Sequence, residues 1–302
     1  MTVATFLELI EFKAKTASIF PFMLGLGFSY FHYGTINPLP LTIYFFAMLL
    51  FNMFVDVWDN YNDYHKAIDT KNYKQQTNII GRENISLSLL KKILAGLFFL
   101  SLVLGLITAQ MTGMVVFYLG LLCYFVGVFY SGGPYPLSRL PFGEFLSGTT
   151  MGFFIFLICV YINASQVFIW DIETLLSIFL VSLPNTLLIG NLMLANNTCD
   201  LQEDRSNHRY TIVHYIGPKN AVIWWTTAII ISYLAIILAV VLRLTPFLML
   251  GTLTTIPFVT KQAYPYMKEQ SKRKTFIASV RILAVVAIVQ ALLMCLGAFV
   301  RL

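Results

Sequence analysis

Two polar stretches in an otherwise apolar chain carry residue types that could do chemistry. The first runs Asn52-Met-Phe-Val-Asp56-Val-Trp-Asp59-Asn60-Tyr-Asn62-Asp63-Tyr-His65-Lys66-Ala-Ile-Asp69. Asn52, Asp56, Asp59 and Asp63 are spaced four, three and four residues apart, so a continuing helix puts all four on one face. Like charges so arranged repel, and they are costly wherever hydrocarbon begins. A cluster this dense needs a counter-charge, and a divalent cation is the most economical one. Asp69 and Glu83 lie further out and read as solvated loop residues.

The second stretch is Asn196-Asn197-Thr-Cys199-Asp200-Leu-Gln202-Glu203-Asp204-Arg205-Ser-Asn207-His208-Arg209. Asn196, Asp200 and Asp204 follow one another at intervals of four and share a face. Arg205, Arg209 and Lys219 follow closely. Carboxylates beside Arg and Lys suit a magnesium-bound diphosphate. Magnesium takes a few carboxylates plus phosphate oxygens, and Arg takes phosphate oxygens in pairs. Asn-xxx-Asp occurs in both stretches, at Asn52/Asp56 and Asn196/Asp200, and is read as two related sites facing each other. A third stretch, Tyr130-Ser131-Gly132-Gly133-Pro134-Tyr135-Pro136-Leu-Ser138-Arg139, is too rich in Gly and Pro to be helical. It is a tight connector whose Tyr130, Tyr135 and Arg139 are placed at the rim of a cavity.

The elements that must position these residues are membrane helices. Of the 302 residues 58% are hydrophobic and 11% charged, with mean hydropathy +0.76, whereas soluble domains carry about a quarter charged residues. Apolar runs near twenty residues predict nine spans: 16–33, 41–59, 89–110, 114–130, 144–163, 174–196, 221–242, 246–264 and 276–300. The fold class is therefore all-α, a polytopic helical bundle around a central cavity. Residues 1–302 read as one transmembrane domain with cytoplasmic loops 60–88 and 197–219 capping the active site. The scattered Cys123, Cys159, Cys199 and Cys295 have no metal spacing.

Charge sets the orientation. Eighteen of the 20 Lys and Arg fall in the N-terminal segment, in the connections after spans two, four, six and eight, or just inside the adjoining ends of spans three, eight and nine. Arg243 and Arg301 alone fall on the other side. This bias puts the N-terminus and the long loops in the cytoplasm and the C-terminus outside, in the cell membrane. Both acidic stretches then lie at the cytoplasmic mouth. The net charge of +6 belongs to those loops and not to nucleic-acid binding.

The order of the motifs now matters: a polar helix end entering Asp63…Lys66…Asp69, then the Gly132–Leu137 turn with Gly143-Glu144, then Asn196-Asn197…Asp200…Asp204-Arg205. In this the chain resembles the UbiA superfamily of intramembrane prenyltransferases. The turn is similar to that of the branch acting on 1,4-dihydroxy-2-naphthoate in menaquinone synthesis. Lys13-Ala-Lys15-Thr16-Ala-Ser18 also resembles the family's opening segment. Family members usually carry Asn-xx-Asn-Asp-xx-Asp in the first motif. This chain reads Asp56-xx-Asp59-Asn60-xx-Asp63, or Asn52-xxx-Asp56-xx-Asp59 one turn earlier, and both registers stay open.

The resemblance implies magnesium held by Asp56, Asp59, Asp63, Asp200 and Asp204 on the diphosphate of a polyprenyl diphosphate. Asn52, Asn60, Lys66, Tyr130, Tyr135, Arg139, Asn196, Asn197, Arg205, Arg209, Lys13 and Lys15 would bind substrate. Ionisation of the allylic C–O bond would give a cation shielded from water, and aromatic faces stabilise such cations. An electron-rich ring, dihydroxynaphthoate in this branch, would then attack, with loss of carbon dioxide to give a demethylmenaquinone. The alternatives are another aromatic acceptor within the superfamily and, from a different class, an ion-coupled transporter. Transporters bind near the bilayer midplane, whereas these acids gather at helix ends. His65, His208 and His214 read as surface loop residues, and His32 as structural.

Overall fold

The computed structural model describes residues 1–66 and 73–300, so Asp69, Lys71 and Arg301 lie outside the described residues. Among the described residues all regular structure is helical: α1 (Val3–Leu9), α2 (Thr16–Tyr33), α3 (Pro38–Lys66), α4 (Tyr73–Gln76), α5 (Ile79–Arg82), α6 (Leu87–Thr112), α7 (Met114–Ser131), α8 (Gly143–Ser147), α9 (Ile155–Ala164), α10 (Ile172–Cys199), α11 (Leu201–Ser206), α12 (Ile212–Val241), α13 (Ile256–Lys268) and α14 (Ile277–Val300). Short 3₁₀ segments, Phe12–Lys15 and Leu137–Arg139, and a longer one, Phe247–Thr255, interrupt them, and Gly148–Phe154 is π-helical.

Seven described stretches are long and apolar enough to cross a membrane: α3, α6, α7, Gly143–Ala164, α10, α12 and α14. The two further expected spans are helical but less apolar or less regular. Helix α2 includes Pro21 and ends in the polar Tyr30, His32 and Tyr33. The other is divided between the 3₁₀ segment Phe247–Thr255 and α13. Helices α6 and α7 bury the smallest share of their apolar windows, 22% and 17%, which leaves Phe99, Val103, Tyr118 and Leu121 on an outer surface fit for lipid.

The chain divides into two compact units. The first comprises Met1–Lys15 and Leu39–Arg139. Its organiser is α3, which carries two stripes. Phe51, Phe54, Trp58, Tyr61 and His65 recur at intervals of three and four, and each ring meets the next at centroid distances between 4.2 and 6.1 Å. This stripe joins a core of Leu9, Ile10, Val57, Ile79, Ile80, Leu90 and Leu94. The Asn52–Asp63 stripe is offset from it by one or two residues, so it is turned by about 150° around the same helix. Burying one stripe fixes the direction of the other. Trp58 anchors the arrangement by donating Nε1–H to Val128 O at 2.9 Å.

The second unit comprises Thr16–Pro38 and Leu140–Leu302. Its core includes Leu188, Ile189, Trp225, Tyr266, Ile282 and Val286. Trp225 donates to Ser279 Oγ at 3.0 Å, and Asn191 donates to Trp225 O at 2.7 Å. Small residues allow the backbones to approach: a Cβ on Gly152 would stand 2.4 Å from Thr186 Cα of α10. Helix α10 begins at Asp171, whose Oδ1 accepts Thr174 N–H at 2.8 Å. Gly217, at φ 76°, breaks α12 immediately before Pro218, which restarts the helix as a first-turn proline.

Candidate active site

In the first unit Asn52 and Asp56 close on a lysine. Lys15, at the end of the 3₁₀ segment Phe12–Lys15, donates to Asn52 O at 3.3 Å, to Asn52 Oδ1 at 2.5 Å and to Asp56 Oδ2. Its side chain is 2% exposed. Burial pulls its ammonium down to about 7, against the opposing effect of Glu11. Asp59 and Asp63 are partly buried one and two turns further along α3. Lys66, the last residue of α3, donates to Ser131 O at 2.9 Å and Gly133 O at 3.0 Å, which ties the acidic helix end to the Gly-Pro turn. That turn needs its glycines. Gly133 adopts φ 79°, and a Cβ on Gly132 would lie 2.5 Å from Val128 O and 2.8 Å from Trp58 Nε1.

Asn60 Nδ2 bonds back to Asp56 O at 3.0 Å, while Asn78 Nδ2 donates to Asn60 O at 3.0 Å. The expected site residue Asn60 thus spends its amide on its own helix. Arg139 ends the 3₁₀ segment that follows the turn, and Tyr130 sits in the last turn of α7; both are partly buried. Tyr135 is 82% exposed. Lys13 is exposed as well.

In the second unit the same motif closes on another lysine. Asn196 is in the last turn of α10, and Asp200 caps that helix by donating its N–H to Asn196 O at 3.0 Å. Lys272, in the connection between α13 and α14, donates to Asn196 Oδ1 and to Asp200 Oδ2, the latter at 2.5 Å. Helix α11 begins at once, and Asp204 N–H still reaches Asp200 O at 2.8 Å, so the four-residue spacing survives the change of helix. Asp204 is 4% exposed. Its Oδ1 lies 3.3 Å from Arg209 Nε, and its Oδ2 is buried without a hydrogen-bond donor. Burial pushes its carboxyl up to about 6. Arg209 opposes the rise, while Asp200 and Glu203 add to it.

The turn after α11 explains how Arg209 returns to Asp204. Arg209 N–H donates to Asp204 O at 2.8 Å around His208, which holds the left-handed φ of 54°. This is the six-to-one closure of a Schellman cap, with His208 in the place glycine usually takes. Arg205 is exposed. Asn197 is buried and donates to Glu144 Oε1 at 2.7 Å, joining α10 to α8.

Residue reading alone misses Lys272 and the role of Glu144. Lys272 belongs to the run Lys272-Arg273-Lys274, which signals only loop charge. Nothing in its spacing relates it to Asp200. Glu144 stands in a quoted motif, but its bond to Asn197 joins positions 53 apart in the chain.

Among the described residues no three His, Cys, Asp or Glu side chains gather closely enough to hold an ion unaided. Magnesium does not require that, since it keeps waters and takes phosphate oxygens. Its chemistry fits what is present in the second unit: an acceptor oxygen of Asp204 lacking a donor, and an Asn–Asp pair already drawn around a cation.

These features define a class: a helical membrane protein with two Asn-xxx-Asp motifs, one within α3 and one at the end of α10. Residues 18–285 match the model of the UbiA prenyltransferase family. The chain belongs to that family, and it is a multi-pass membrane prenyltransferase. It is similar to the 1,4-dihydroxy-2-naphthoate octaprenyltransferase of Bacillus subtilis (strain 168), with 26% identity over 222 residues, 74% of this chain and 69% of that one. Among solved structures, a UbiA homologue of Archaeoglobus fulgidus bound to DMAPP and Mg2+ has TM-score 0.67 at 14% identity, covering 98% of both chains. The apo UbiA homologue of Aeropyrum pernix K1 has TM-score 0.69 at 14% identity, over 91% of this chain and 96% of that one. At these identities the structures speak for the fold.

Proposed function

We propose that this prenyltransferase moves a polyprenyl group from polyprenyl diphosphate to 1,4-dihydroxy-2-naphthoate, with loss of carbon dioxide. The observation that carries the reading is the repeated Asn-xxx-Asp pair, each drawn around a cation, in a chain whose curated relative is a dihydroxynaphthoate octaprenyltransferase. Asp200 and Asp204 in one stretch, and Asp56, Asp59 and Asp63 in the other, are the proposed magnesium ligands. When bound, magnesium supplies neutralisation of the charge that grows on the departing diphosphate.

The chain's own residues do the rest. Lys66, Arg139, Arg205 and Arg209 are proposed to donate to diphosphate oxygens, which holds the allylic carbon in place and lowers the charge of the leaving group. The C–O bond breaks with its electron pair going to diphosphate. The carboxylated ring carbon forms the new C–C bond, and the carboxyl group then leaves as carbon dioxide, its bonding pair returning to the ring. The apolar helix faces keep water from the allylic cation. Both the prenyl donor and the product are lipids, which favours a membrane-embedded enzyme. The cationic loops set the proposed orientation, N-terminus in the cytoplasm and C-terminus outside the cell membrane.

Asp200→Ala and Asp204→Ala test the reading in purified protein. Both variants are expected to elute as the wild type does and to lose prenyl transfer. Full activity in both would refute it.

A further inference from the structure

Each acidic motif is closed by a lysine from elsewhere in the chain, and the two lysines differ. Lys15 is 2% exposed and Lys272 is 45% exposed, while both grip an asparagine Oδ1 and the Oδ2 of the aspartate four residues later. An ammonium sealed into a buried site stays there, because moving it disturbs the packing around it. An ammonium half in water can leave at little cost.

The segment bearing Lys272 is itself firmly built. Thr275 Oγ1 donates to Glu269 O at 2.7 Å and accepts Ser271 N–H at 2.9 Å. The backbone N–H groups of Thr275 and Phe276 both donate to Ser271 O, at 2.9 and 3.0 Å. Gln270 Nε2 reaches back to Tyr266 O at 2.7 Å. Lys274 pairs with Glu269 at 3.3 Å. The Lys272 ammonium also lies 4.9 Å from the centre of the Phe276 ring, a second favourable resting place for a cation. A rigid base thus carries a long side chain whose charged end has one strong partner pair and one weak one.

Resting on the prenyltransferase reading above, we propose that Lys272 is the exchangeable counter-ion of the second acidic motif. It neutralises Asp200 and donates to Asn196 Oδ1 while no divalent cation is present, yields those oxygens to magnesium, and then donates to the incoming diphosphate. Lys272 is in this sense a positioning residue before substrate arrives and a substrate-binding residue afterwards. The role avoids an uncompensated acidic helix end in the empty enzyme. It also ties magnesium entry to diphosphate entry, since the released ammonium needs an anion. Lys15 has no such freedom and stays on Asn52 and on one of the two carboxylate oxygens of Asp56.

The test uses full-length purified protein and Mn2+ as the probe, with binding read by electron paramagnetic resonance in the absence of diphosphate. Lys272→Met and Lys272→Gln remove the competing charge and are expected to bind Mn2+ about fivefold more tightly, the range of a half-exposed ion pair. In steady-state assays the same variants should raise KM for polyprenyl diphosphate about tenfold with a smaller change in kcat. Lys272→Arg should return both quantities toward wild type. Unchanged Mn2+ affinity in Lys272→Met and Lys272→Gln, with wild-type binding that Asp200→Asn abolishes, overturns the role of Lys272 and leaves the site standing. Wild-type protein whose Mn2+ binding is unaffected by Asp200→Asn and Asp204→Asn overturns both.

Discussion

At Asp204 the proposed role as a magnesium ligand carries a cost in stability. Its buried carboxyl is pushed up to about 6, so its ionisation costs stability in full above that pH, and the cost fades as pH falls from there toward the ordinary value of 3.8. Asp204→Asn should therefore raise Tm at pH 8 in the presence of EDTA, and the gain should shrink toward pH 5, while activity is lost. An equal shift at both pH values would contradict the burial argument. His208 poses the opposite case. Its left-handed backbone, φ 54°, shapes the turn that returns Arg209 to Asp204, and glycine suits that conformation better. His208→Gly should keep prenyl transfer, as measured by product formation, whereas His208→Val should lower both stability and activity. Loss of activity in a stable His208→Gly would make the imidazole itself a participant.

Sequence reading went furthest with these residues where spacing is local. Asn52/Asp56 and Asn196/Asp200 are four apart on helices, and the structure draws each pair around one ammonium. Lys15 was within reach because it stands in a quoted motif. Lys272 was not, since 72 residues separate it from Asp200 and only tertiary packing joins them. Asn60 and Asn197 make contacts that their types and positions did not announce: the Asn60 amide donates to its own helix and the Asn197 amide to Glu144.

Among the elements, helices had a clear signal because twenty-residue apolar runs have few alternatives. The ends were harder. Helix α3 continues to Lys66, well past the apolar run, since the aromatic stripe from Phe51 to His65 keeps one face packed. The 3₁₀ segment Phe247–Thr255 and the π-helical Gly148–Phe154 left no mark in hydropathy, which reports polarity and not helical pitch. The π-helical segment packs against Thr186 through Gly152, and Gly152→Ala should destabilise the protein by about 1–3 kcal/mol through overpacking, read as a lower Tm. A wild-type Tm would mean that α10 yields easily there. At the start of α10, Asp171 is held below the ordinary carboxylate range by the Thr174 amide. Its capping contribution is present above that range and fades as pH falls through it, so Asp171→Asn should matter less in acid than at neutral pH.

At the scale of the whole molecule, the family match from residue 18 to 285 makes the chemistry a property of nearly the full chain. Composition and span count were enough for a helical membrane protein, and motif order was enough for the family. The acceptor was legible only through the resemblance of the Gly132–Leu137 turn, and no spacing of residue types in the chain marks where its ring would sit. The measurement that bears most directly on the central claim is prenyl transfer by purified protein, supplied with polyprenyl diphosphate and magnesium, to dihydroxynaphthoate and to hydroxybenzoate in parallel. A decarboxylated prenyl-naphthoquinol product is expected from the first acceptor, none from the second, and none from either when EDTA replaces magnesium. Transfer to hydroxybenzoate alone, or transfer that persists in EDTA, would contradict that claim.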